Sequence, residues 1–352
     1  MRKLMVGADA AGFVYVANSG SQDISVFELG AAGTLRARAP VAIQRPGGTG
    51  RSIVLASSPD RAFLYAGYVN PESQALVATF SIDRHTGVPR LLASTPLADS
   101  VAYLATDRAG HFLLGASYAG SKVMVNAIAA NGIVGETLQV IPTESKAHCI
   151  LTDPLNRHVL HTSLGGDRIY QQVFDAATGS LSPNDPAAIA VRAGAGPRFM
   201  SFSPDARFVY VINELDGSID VFSYDADRGL LGPAIQTASA LPPGFAGKPW
   251  AADIQLTPDG RFVCASERTS SYLTMFRVDP ENGTLAKLHS YPTVAQPRAF
   301  RIDAAGRYLV CCGQLSNSLV IYAIDRLEGG LAPIGEAPVG SNPTWVEILL
   351  MV

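Results

Sequence analysis

The sequence predicts an all-β chain folded as a seven-bladed β-propeller. Three observations predict it. A turn-and-strand phrase recurs seven times, no stretch reads as a long amphipathic helix, and the C-terminus carries one strand more than its own repeat requires. A repeat of roughly 50 residues built only from strands matches a four-stranded propeller blade, whereas linear solenoids use shorter repeats and need caps.

The phrase is a turn, an aromatic strand, a polar break and a second strand. One copy reads Ser203-Pro204-Asp205-Ala206-Arg207-Phe208-Val209-Tyr210-Val211, followed by Ile219-Asp220-Val221-Phe222. Another reads Thr257-Pro258-Asp259-Gly260-Arg261-Phe262, followed by Leu273-Thr274-Met275-Phe276. The seven turns fall at Ala10, Pro59, Arg108, Pro154, Pro204, Pro258 and Ala304. Each copy alternates apolar and polar residues with period two in short runs bounded by Gly, Pro, Asp and Asn, which reads as strands joined by turns. The second strand often leads to a Gly-Xaa-Leu turn, as at Gly33-Thr34-Leu35, Gly179-Ser180-Leu181, Gly229-Leu230-Leu231 and Gly283-Thr284-Leu285.

Later copies place a strand before the turn: Arg198 to Phe202, Asp253 to Leu256 and Arg298 to Ile302. The first copy has no room for one. The segment Pro343-Thr344-Trp345-Val346-Glu347-Ile348 resembles those pre-turn strands and is expected to become the inner strand of the first blade. Such closure removes two sheet edges that an open array would have to protect. The 352 residues are therefore read as a single propeller domain, 1–352, with the repeat overriding a length-based expectation of two domains.

The composition is 47% hydrophobic and 16% charged, which excludes a disordered chain. A net charge of −3 gives no global attraction to nucleic acid or an anionic membrane, and neither is expected as a partner. No apolar run approaches a membrane-spanning length, and Met1 to Asn18 lacks the apolar core and cleavage pattern of a leader, so a cytoplasmic protein is expected. Cys149, Cys264, Cys311 and Cys312 have no metal-binding spacing and are read as buried, reduced thiols. A monomer is expected, because a propeller of this size buries its own core.

The repeat also aligns a site. In a blade the inner strand starts on one face of the disc and the second strand returns to it. Six residues before the turn stand His148, Arg198 and Arg298, and ten residues after it stand Glu214, Arg268 and Gln314. All six are expected around one end of the central channel, with Asp253 on the wall below them. Arginine clamps carboxylate or phosphate through its fork of donors, and clustered positive charge draws an anion into a cleft.

The segments Gly194-Ala195-Gly196-Pro197-Arg198, Val211-Ile212-Asn213-Glu214-Leu215, Trp250-Ala251-Ala252-Asp253-Ile254, Glu267-Arg268-Thr269, Gln296-Pro297-Arg298 and Gly313-Gln314 resemble the bacterial propeller-type 6-phosphogluconolactonase family, whose fold relatives include fungal carboxymuconate lactonizing enzymes. The likeness covers nearly the whole chain. It implies a catalytic set of one His, two Arg and one Glu, matching His148, Arg198, Glu214 and Arg268 here, and the blade alignment adds Asp253, Arg298 and Gln314 as substrate-binding residues. It further implies hydrolysis of a small anionic sugar lactone, with 6-phosphogluconolactone the expected substrate; no cofactor is expected, and the arginines near Glu214 and Asp253 argue against a bound metal. In that chemistry Glu214 or His148 is the general base, and the two possibilities stand side by side. Arg198 and Arg268 stabilise the oxyanion, and one of them or Arg298 also holds the substrate's phosphate or carboxylate. A cycloisomerase acting on a carboxymuconate would use similar groups, and a non-catalytic binding scaffold is the third reading.

Weaker signals are assigned to structure. Gly47-Gly48-Thr49-Gly50-Arg51-Ser52 lacks the Lys and helix of a phosphate loop. Ser117, in Gly115-Ala116-Ser117-Tyr118-Ala119, is read as a strand residue. His85, His111 and His158 fall in or beside turns and are expected to be solvated.

Overall fold

The computed structural model describes residues 10–43 and 52–350. The leader reading of the first residues and the glycine-rich segment 47–51 lie outside them. Seven antiparallel sheets stand in a ring, and the described residues contain no helix. Blades 2 to 7 each take four consecutive strands in the order inner to outer. In blade 5, for example, these are Pro197–Phe202, Phe208–Asn213, Ser218–Asp225 and Leu230–Ser239.

Blade 1 is completed from the other end of the chain. Pro343–Leu350 pairs antiparallel with Ala10–Asn18, with Val346 opposite Val16 and Ile348 opposite Val14. The inner strand of the first blade is therefore the last strand in the sequence. Asn342 and Ser341 also accept backbone hydrogen bonds from Ser19 and Gly20, fastening the junction at the turn.

Burial explains the strand patterns. The second strand of a blade is covered on both faces by neighbouring blades, so Phe208–Asn213 and Phe262–Glu267 are buried throughout. The outer strand has one solvent face, and Val134–Pro142 alternates accordingly. The adjacent Cys311 and Cys312 enter different apolar clusters on the two sides of blade 7. All four cysteines are free and buried.

The Gly-Xaa-Leu turn has a packing role that its spacing did not reveal. Its glycine lies against the aromatic ring that opens the second strand of the preceding blade. Gly87 sits on Phe13, Gly132 on Phe63, Gly179 on Phe112, Gly283 on Phe208, Gly329 on Phe262 and, across the closure, Gly33 on Tyr308. At the remaining interface Gly229 sits on His158. His158 is consequently buried beside Asp153 rather than solvated, which corrects the sequence expectation. His85 and His111 are exposed as expected. Ser117 ends the strand Phe112–Ser117, and its hydroxyl accepts the Gly120 N–H.

Candidate active site

Three inner strands open with a break in register. Pro197 pairs with Asn213 and Phe199 with Ile212, leaving Arg198 as the extra residue of a bulge. His148 is skipped in the same way between Ala147 and Cys149, and Arg298 between Pro297 and Ala299. A bulge bends the strand and re-aims the side chain at that position. Here the re-aimed side chains point into one cavity of about 400 Å³, which His148, Arg198, Glu214, Arg268 and Arg298 line together. Side chains from the second strand satisfy backbone groups that the bulges displace. Thr162 Oγ1 accepts from Cys149 N at 3.1 Å and donates to Arg198 O at 2.8 Å.

The approach to each charged residue is also fixed. Asp167 accepts the N–H groups of Gly194 and Gly196, which holds the segment leading to Arg198. Gly196 has φ of +70°, a conformation that glycine adopts without strain. Buried Glu267 accepts from Trp250 N, Thr269 N and Ser270 N and so shapes the loop that presents Arg268.

Within the cavity Glu214 Oε2 receives Arg268 Nη2 at 2.7 Å and faces Arg198 Nε at 3.0 Å. The second contact is a charge contact without the alignment of a hydrogen bond. Arg198 also donates through Nη1 to Ala252 O, and its guanidinium lies 4.1 Å from the Phe199 ring centre. Arg268 donates to Trp250 O and Ala251 O and stacks on the Trp250 indole at 3.8 Å. Among the described residues Arg298 makes one hydrogen bond, Nη2 to Ser52 Oγ at 2.7 Å, and no ion pair.

Burial and crowding set the charge states. Burial, with Arg198 beside it, pushes the Arg268 guanidinium down to about 8, so it is still a cation at pH 7. Burial and Arg198 likewise bring Arg298 down to about 10. His148 is held well below its usual range by burial and then by Arg198, Arg298 and Arg268, and is neutral at pH 7. Its ring packs edge-on against Tyr118 and Phe199, and its Nδ1 is buried without a partner. Among the described residues no group of three or more His, Cys, Asp or Glu side chains is placed to hold a metal ion.

Two expected residues lie elsewhere. Asp253 belongs to a separate cavity of about 410 Å³ at the other end of the channel. Its strand also carries one extra residue, with Ala252 and Asp253 opposite Ser266, and it is Ala252 that stands at the offset of Arg198. Its carboxylate accepts from Ile254 N and Phe300 N, and burial raises it to about 6. Tyr103, Phe199 and Trp345 pack edge-to-face with ring centres 4.9 to 5.7 Å apart and partition the channel between the two cavities. Gln314 does not line the arginine cavity, because its amide is engaged with Asn342 Oδ1 at 3.0 Å. Conversely, Ser52, Tyr118 and Trp250 line the cavity and were not singled out as site residues. Tyr118 stands at the same ten-residue offset as Glu214 and Arg268, which was a usable signal.

A family profile described as lactonase, seven-bladed β-propeller, matches residues 42–348. The chain belongs to this family. The 6-phosphogluconolactonase of Pectobacterium carotovorum subsp. carotovorum is 41% identical to this lactonase-family chain over 340 residues, covering 96% of it and 98% of the relative. The Yersinia pestis 6-phosphogluconolactonase is 35% identical, with 95% and 97% covered. Among solved structures, the periplasmic gluconolactonase of Pseudomonas aeruginosa superposes with a TM-score of 0.86 at 25% identity, with 97% of this lactonase-family propeller and 99% of that chain covered.

Proposed function

We propose that this protein hydrolyses 6-phosphoglucono-δ-lactone to 6-phosphogluconate. The observation that carries the reading is one cavity in which three guanidiniums face a single carboxylate and a neutral imidazole. Family membership and the relatives' activity support the lactone as the substrate.

The proposed steps use side chains alone. Glu214 Oε2 is occupied by the two arginines, and among the described residues no hydrogen bond reaches Oε1. Oε1 accepts a proton from the attacking water as its oxygen bonds to the lactone carbonyl carbon. The uncharged His148 ring orients that water as a second acceptor. Arg198 Nη2 and Arg268 Nη1, which have no protein acceptors, meet the developing oxyanion. When the intermediate collapses, the bond from the carbonyl carbon to the ring oxygen breaks, and the Glu214 carboxyl returns its proton to that oxygen. The product acid then ionises and leaves.

The proposal includes a cytoplasmic monomer, since four free buried thiols suit a reducing compartment. The test is acid release from 6-phosphogluconolactone by the purified, folded protein. A rate well above spontaneous hydrolysis is expected, and a rate equal to it overturns the assignment.

A further inference from the structure

We infer that Arg298, held by Ser52, is the anchor for the substrate's phosphate dianion, so that phosphate recognition and bond breaking use different arginines of one cavity. The inference rests on the lactonase reading above and assigns a subsite within it.

The first support is charge accounting. The cavity is lined by Arg198, Arg268 and Arg298, by one carboxylate, Glu214, and by a neutral His148. Three positive charges against one negative leave two uncompensated, which complements a phosphate monoester near −2 and poorly suits a neutral sugar lactone.

The second support is which arginine remains uncommitted. Arg198 is 1% exposed, faces Glu214 and donates to Ala252 O. Arg268 spends donors on Glu214, Trp250 O and Ala251 O. Among the described residues Arg298 faces no carboxylate within ion-pair distance and has one acceptor, the Ser52 hydroxyl. A guanidinium carries five N–H donors, so most of the Arg298 fork is available to a tetrahedral oxyanion. Ser52 fixes one arm of that fork and leaves its charge intact. Its hydroxyl takes the Arg298 hydrogen bond as acceptor and keeps its own proton to donate to a phosphate oxygen.

The third support is position. Glu214, Arg198 and Arg268 come from blades 5 and 6, whereas Arg298 opens the inner strand of blade 7 and Ser52 precedes that of blade 2. The anion pole is thus built on a different sector of the ring from the carboxylate pole. The phosphate of the proposed substrate sits on C6, next to the C5 that bears the ring ester oxygen, so it lies a few bonds from the lactone carbonyl and falls to a neighbouring group of the same cavity.

The test is equilibrium binding of 6-phosphogluconate and of gluconate, measured by calorimetry, together with kcat/KM on the phosphorylated and unphosphorylated lactones. Wild-type protein is expected to prefer the phosphorylated member of each pair by about 100-fold, the scale of one or two hydrogen bonds to a charged group. Arg298→Gln is expected to reduce that preference to within a few-fold of unity. Arg298→Lys should restore part of it, because the charge returns without the fork. Ser52→Ala should lower the preference by about 3- to 10-fold while the charge stays. Thermal melting confirms that each variant is folded. No preference in the wild type, or an unaltered preference in Arg298→Gln, overturns the inference. Binding preference without turnover of either lactone sustains the phosphate anchor and sinks the lactonase reading instead, so the two fail separately.

Discussion

Arg268 Nη2 meets Glu214 at 2.7 Å on Oε2, the same oxygen that faces Arg198, so the carboxylate is anchored at one end and open at the other. Exchanging that oxygen pair for an amide keeps the shape and removes both the base and the charge between two guanidiniums. Glu214→Gln is expected to lower kcat by about 100- to 1,000-fold. Steady-state kinetics on the folded variant checks this, and a kcat within threefold of wild type would remove Glu214 from the base role.

His148 predicts an unusual acid limb. Its pKa is lowered well below 6.5 by burial and by three arginines, so no imidazole should protonate from pH 7.5 to 6, and any fall of kcat/KM in that window should follow the substrate's phosphate, with a pKa of about 6, and persist in His148→Asn. The His148 ring resonance in an NMR titration should stay at its neutral position across the same range. An inflection near 6.5 that disappears in His148→Asn would contradict this.

Much of the site was legible because the repeat converts sequence offsets into positions on a circle. His148, Arg198 and Arg298 share one offset and Glu214 and Arg268 another, and the five reach one cavity. Asp253 stands one residue beyond the offset shared by His148, Arg198 and Arg298, so the repeat did not align it with them. Its carboxylate is taken up by Ile254 N and Phe300 N and lines the cavity at the other end of the channel. Gln314 failed because offset gives location and says nothing of the Asn342 amide that engages it. His158 was misread because a turn residue looks solvated until the neighbouring blade's glycine is seen to cover it. The bulges themselves carry no residue signature, so the sequence could align the side chains without revealing what aims them.

His161 supplies a stability prediction. It is fully buried, stacked on Tyr170 at 4.7 Å, and burial lowers its pKa from 6.5 to about 3. The folded state favours the neutral ring, so its contribution is complete above pH 6.5 and declines as pH falls from 6.5 toward 3. The slope approaches about 1.4 kcal/mol per pH unit for one proton. Denaturant melts of His161→Phe should show a shallower acid decline by that amount between pH 6 and 4. Asp253, raised to about 6, acts in the opposite sense between pH 6 and 3.8, so the comparison of variant with wild type isolates the histidine.

Gly87→Ala tests the blade seam. A Cβ there falls 2.1 Å from Phe13 Cδ1, and φ is +67°. Steric displacement of a core ring and left-handed backbone strain act together, and a loss of about 2–4 kcal/mol is expected. Gly194→Ala provides the contrast, since its φ is +76° but nothing lies within 4 Å of a Cβ. It should cost only the backbone part, about 1–2 kcal/mol. Equal losses at the two positions in chemical denaturation would deny the ring contact its role.

The pairing of Pro343–Leu350 with Ala10–Asn18 also orders events during biosynthesis. The strand Ala10–Asn18 must wait, with its inner edge unpaired, until Pro343–Leu350 has been made. Folding of this chain cannot then be a simple progression from front to back. Blades 2 to 7 can form as they appear, whereas blade 1 completes only after synthesis has passed the last of them. A nascent chain stalled short of that last strand carries an exposed template for pairing with another molecule, and quality-control machinery would meet it in that state.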